Sequence, residues 1–298
     1  MTKLLVISGA AVVLMLSFME LRAQQAQGGR GQAQGGGATT TAPAGNRSRE
    51  WMTGDIVNSP APRLPDGRPD LTGPWEGGGS DADIEREGGL KPGELISLML
   101  PWAKELRAQR EKAIYGEPYI YCLPMSVPRV NPYPWKFAMS YTSKGLQYIY
   151  VLHETGDAGA HRVVYMDGRP HPADVFPTWW GHSIGRWDGD TLVIDTVGYN
   201  DKFWFDAVGT PHTEKLHTIE RWTRTNYGTL VNEFTLDDPG TFTRPIQMKF
   251  TAHLVRADIE LMEYICAENN QLGIAGGYIK GDQGVSAPPP QFDIKKPR

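Results

Sequence analysis

The segment Lys136-Phe-Ala-Met-Ser-Tyr-Thr-Ser-Lys-Gly-Leu-Gln-Tyr-Ile-Tyr-Val-Leu-His153 decides the fold class. Phe137, Met139 and Tyr141 alternate with Ala138 and Ser140, the period of a half-buried strand. Thr142-Ser-Lys-Gly145 then reads as a hairpin turn into a second run from Gln147 to His153. Two such runs this close in sequence predict an antiparallel pair.

Comparable runs follow at Arg162–Met166, Thr191–Val197, Leu216–Arg224, Leu230–Leu236, Ile246–Val255 and Ile259–Ala267, and a short one at Leu71–Trp75. Turn formers such as Thr225-Asn-Tyr-Gly228 and Asp237-Asp-Pro-Gly240 separate several of them. The set predicts a mainly β fold, an up-and-down antiparallel barrel or strongly curled sheet of about eight strands. A two-sheet β-sandwich is the alternative, because periodicity does not separate the two. One N-terminal amphipathic helical segment is expected, over Leu95–Leu100 and Trp102–Ala113, with Trp102, Leu106 and Ala113 on its apolar face. Asp81–Gly89 reads as a loop, and Tyr119–Trp135, rich in proline, as an extended connector.

Residues 1–23 have the form of a secretory signal peptide: Lys3, an apolar run from Leu4 to Met19, and a small residue, Ala23, at the cut. Residues 24–50 are a Gln/Gly/Ala/Thr-rich leader expected to be disordered. The rest, 51–298, reads as a single β-rich domain with an extended tail from about residue 280. Such a chain is expected to be periplasmic or secreted, with no membrane span after cleavage; a membrane anchor is the alternative, though so short a run is marginal for spanning a bilayer. In that compartment Cys122 and Cys266 pair most simply as a disulfide; two free buried thiols are the alternative. The net charge of −4 and the lack of a basic stripe speak against nucleic acid as a partner.

Phe176–Tyr199 carries the densest chemistry. It opens as a Pro/Trp/Gly loop presenting His182 and Ser183, turns at Asp188-Gly189-Asp190, and enters the strand that bears Asp195. By parity Asp195 shares a face with Val193, Val197 and Tyr199, and Glu263 shares one with Leu261 and Ile265. Such acids are either paired with Arg186, Arg221 or Arg224, or form a polar pocket floor.

Asp167-Gly-Arg-Pro-His-Pro172 and Pro177-Thr-Trp-Trp-Gly-His-Ser-Ile-Gly-Arg-Trp-Asp-Gly-Asp-Thr-Leu-Val-Ile-Asp-Thr196 resemble the central block of a family of uncharacterised exported bacterial proteins. Tyr121-Cys-Leu-Pro124 and Leu216-His-Thr-Ile-Glu-Arg221 extend the likeness across the domain. The resemblance implies one domain and names no reaction. Gly73-Pro74-Trp75 is similar to the opening of lipocalin-type (calycin) barrels.

A barrel of about eight strands holds either packed side chains or one small ligand. The expectation is a hollow into which His182, Asp195 and Tyr199 face as catalytic residues, His182 acting as acid or base. A His that merely holds its own loop is the competing reading. Arg169, His171, Trp179, Trp180, Ser183, Trp204 and His212 are the expected ligand-binding residues, with Trp179, Trp180 and Trp204 at the mouth. The ligand class is a small organic molecule, aromatic or apolar in part. Three functions follow: a small-molecule binder, an acid–base lyase, isomerase or hydrolase on the same scaffold, or a structural protein with a filled core. Gly181-His-Ser-Ile-Gly185 lacks the strand–turn–helix context of a hydrolase nucleophile. A metal would require His171, His182, His212 and Asp206 to converge from afar, so no metal or cofactor is expected.

Overall fold

The computed structural model describes residues 51–113, 116–155, 161–256 and 260–266. The expected signal peptide, leader and extended tail lie outside the described residues.

Among the described residues nine strands close into one barrel in sequence order: β1 (Trp75–Gly77), β2 (Trp135–Thr142), β3 (Gly145–His153), β4 (His161–Tyr165), β5 (His182–Asp188), β6 (Thr191–Val197), β7 (His217–Asn226), β8 (Thr229–Asp237) and β9 (Ile246–Leu254). Closure runs through β1, where Trp75 pairs with both Leu254 and Trp135. The alternating runs form hairpins as their patterns require, Phe137 opposite Val151 and Trp222 opposite Asn232.

Two departures from the sequence reading matter. His182–Asp188 is a strand rather than a loop, and it pairs parallel to β4, Val164 opposite Ser183. The barrel is therefore antiparallel except at this one junction. A parallel pair needs a crossover, supplied here by the chain between Met166 and Gly181. The last expected strand does not form: residues 260–266 are not β, and Glu263 is exposed.

Inside the barrel two clusters stack. At the end bearing the β7–β8 hairpin, Trp75, Trp135, Trp222, Phe137, Ile149 and Leu192 pack together. The Trp135 and Trp222 rings lie 5.0 Å apart, a contact worth about 1 kcal/mol beyond its buried area. At the other end Phe203, Phe205, Phe234, Phe250 and Tyr199 pack under three helices. These are α1 (Ile84–Glu87), α2 (Glu94–Leu98) and α3 (Pro101–Lys112). α1 falls in the expected loop, its Asp83 side chain capping the Glu85 and Arg86 amides. α3 buries Ala103, Leu106 and Arg110, while Trp102 and Ala113 sit only half-buried at its margins.

Cys122 and Cys266 form a disulfide that holds the 260–266 segment against the helix-capped end. A disulfide is compatible with an exported protein. No helix among the described residues is long and apolar enough to cross a membrane.

Candidate functional site

Strand parity sorts the polar residues onto two sides of the barrel wall. On β6, Leu192, Ile194 and Thr196 point inward and are fully buried. Asp195 and His182, opposite Val197, therefore point outward, and the inside is occupied by the two side-chain clusters. The expectation that His182 and Asp195 face an interior hollow is corrected by closure.

The outward residues form a continuous chain. His217 Nε2 lies 2.8 Å from Asp195 Oδ1, and His171 Nε2 lies 3.1 Å from the same oxygen. His171 Nδ1 in turn lies 2.8 Å from His182 Nδ1. A carboxylate only accepts, so His171 carries its proton on Nε2 and accepts at Nδ1. His182 then donates from Nδ1, which leaves the lone pair on its Nε2. The His182 ring stacks on Tyr165, centroids 5.0 Å apart, and the Arg169 guanidinium lies 4.1 Å from the Tyr165 ring centre. Arg169 is also paired with Asp167. Tyr148 meets the Tyr165 ring edge to face, and Tyr150 lies beside Tyr148. The result is an open, aromatic face of imidazole and phenol.

Burial opposes ionisation of Asp195, but hydrogen bonds from His217 and His171 outweigh it and hold the carboxyl below its usual range. The hydrogen bond to Asp195 raises His217 above the ordinary imidazole value. His182 moves the other way, lowered first by burial and further by the neighbouring His171 and Arg169. It is thus a neutral base at neutral pH.

The remaining expected site residues lie elsewhere. Tyr199 is buried, donating to or accepting from Thr218 at 2.8 Å, and burial pushes its phenol up to about 12. Its parity with Asp195 fails because Gly198, at φ +73°, turns the chain at the end of β6. Ser183 points inward to Thr196. Trp204 is buried beneath Arg110 rather than at a mouth. Trp179 and Trp180 are half-buried against the helix-end cluster, Trp180 stacked on His153. His212 sits between the carbonyls of Phe203 and Thr213, and Asp206 is engaged by Thr210 and Ile84. Neither converges with His171 and His182, and no metal-holding group of three is found among the described residues.

A second polar cluster lies inside. Arg162 and Glu220 form a bidentate ion pair, fully buried, and Glu220 also accepts from Trp222 Nε1 at 3.1 Å. This pair joins two residues to which the sequence reading gave no role. His153, beside Arg162, is pushed down to about 3 by burial and by the charges of Arg162 and His161. Sequence reasoning passed over Arg162 and His153. Their signal was an inward parity shared with Val164 and Val151. The sequence matches no protein-family model, no curated protein and no solved structure, so its residues alone carry the functional reading.

Proposed function

We propose that this is an exported barrel protein that binds a small, partly aromatic molecule on its outer wall and moves a proton on it. His182 is the base. Its Nε2 takes a proton from the bound molecule while its Nδ1–H stays hydrogen-bonded to His171. Asp195 offsets the positive charge that develops along the His182–His171 pair. Return of that proton to another atom of the same molecule completes an isomerisation; its delivery to a leaving group, as the bond from carbon to that group breaks and a double bond forms, completes an elimination. Tyr148, Tyr150 and Tyr165 supply the aromatic wall against which such a molecule stacks.

The observation that carries this reading is the unbroken chain His182–His171–Asp195–His217. A structural ion pair needs neither two imidazoles on one carboxylate oxygen nor a third linked through one of them. A binder without turnover is the second reading, favoured by how open the aromatic face is. Incubating wild-type protein and the His182→Ala variant with native periplasmic small molecules, followed by mass spectrometry, separates them. A compound consumed by wild type alone supports the acid–base reading. A compound retained equally by both and consumed by neither supports the binder. Retention and consumption by neither protein sink both.

A further inference from the structure

At the barrel end bearing the β7–β8 hairpin, opposite the helix-capped end, a cleft of about 300 Å³ opens beside Arg224. Its walls are Met52, Pro62, Pro74, Leu254, Val255 and Tyr227. That size is near the lower bound of sites that enclose small organic ligands. Arg224 is 6 % exposed. Its guanidinium lies 4.9 Å from the Trp75 ring centre and 5.4 Å from that of Tyr227.

What holds this cation is unusual for a buried arginine. Nε and one terminal nitrogen donate to the Tyr227 carbonyl, and the other terminal nitrogen donates to the Asp70 carbonyl. Those three bonds leave two of the five guanidinium N–H groups for other acceptors. The Asp70 carboxylate also lines the cleft, but its Oδ1 is turned to the amide and hydroxyl of Thr72. Among the described residues no carboxylate lies within ion-pair distance of Arg224, whereas the buried Arg162 pairs with Glu220 and the buried Arg129 with Glu117 and Asp81. Burial is the larger influence on Arg224 and lowers its basicity, while the charge of Asp70, beyond ion-pair distance, offsets only part of that desolvation cost.

We propose that this cleft binds a small monoanionic amphiphile, a medium-chain or arylalkyl carboxylate, with its carboxylate on Arg224 and its apolar body against the Met52–Val255 wall. The carboxylate supplies the charge that Arg224 lacks. The methyl and proline walls take up the hydrocarbon. This site shares no residue with the His182 chain and stands independently of the acid–base reading.

Methyl-labelled full-length mature protein, titrated with octanoate, tests it through the Met52 resonance. Octanoate should shift the Met52 methyl saturably, and octanamide, equal in shape but neutral, should bind roughly tenfold more weakly or worse. Arg224→Gln should lose the preference for the acid. Thr72→Trp, which fills the cleft and leaves Arg224 in place, should abolish the shift, and His182→Ala should leave it intact. Equal binding of octanoate and octanamide, an unchanged response in Thr72→Trp, or no response in wild type overturns the proposal. If Arg224→Gln does not fold, the octanamide and Thr72→Trp comparisons decide.

Discussion

The Nδ1 atoms of His171 and His182 stand 2.8 Å apart, so one must donate and the other accept. Because the far nitrogen of His171 faces the Asp195 carboxylate, the direction of every proton in the chain is set from Asp195 outward. Long-range proton–nitrogen correlation spectra near neutral pH should find His182 protonated on Nδ1 and bare on Nε2. The opposite tautomer would remove the base from the solvent side and with it the proposed chemistry.

The Asp195–His217 contact should depend on pH within a defined window. Asp195 titrates below its ordinary value, so its contribution is complete above the unfolded value and is lost as pH falls through the folded one. His217 titrates above its ordinary value, so its contribution is complete below the unfolded value and is lost as pH rises through the folded one. Both contributions are therefore complete between roughly pH 4 and 6.5. Since the pair is half-exposed, a double-mutant cycle with Asp195→Asn and His217→Gln should give at most about 1 kcal/mol near the middle of that window. Less is expected in mildly alkaline buffer, and equal coupling in both would mean that charge plays no part.

Arg162 and Glu220 are buried together inside the barrel, so removing one strands the other. Arg162→Met should cost about 3–5 kcal/mol in urea unfolding. Arg162→Met with Glu220→Leu should recover most of that loss, less the bond from Trp222 Nε1. A double variant as unstable as the single one would show that the pair is not a self-contained unit.

His153 is buried with neither ring nitrogen hydrogen-bonded among the described residues, and it is lowered to about 3. Its neutral form is what the fold accepts. Stability should therefore be intact above the ordinary imidazole value and fall on acidification, by about 1 kcal/mol per pH unit once the unfolded chain takes up the proton. The His153→Phe variant should have a flatter stability profile between roughly pH 6 and 4. Parallel profiles would contradict the assignment.

Cys122 and Cys266 are 144 residues apart in sequence, so their bond closes most of the domain. Replacing both with alanine should lower stability by about 4–5 kcal/mol in the chain-entropy account. Denaturant curves for the oxidised, reduced and doubly substituted protein test this, and coincident curves would place the constraint elsewhere.

The alternation in Lys136–His153 and its successors, a local property of side chains, was enough to predict hairpins and a closed or curled β wall. It also singled out His171, His182 and Asp195, because a loop and strand so rich in costly residues mark themselves. Strand β5 was hidden because Gly185 interrupts its pattern and its parallel partner lies across a crossover with no local signature. Parity states which residues share a face but not which face is inside, and that depends on pairing β1 with β9 at opposite ends of the domain. Closure alone therefore turned Asp195 outward toward His217, sent Glu220 inward to Arg162, and let Gly198 carry Tyr199 to the other side. The sequence by itself determined the strands and the residue types; the non-local register of a closed sheet decided which of them meet.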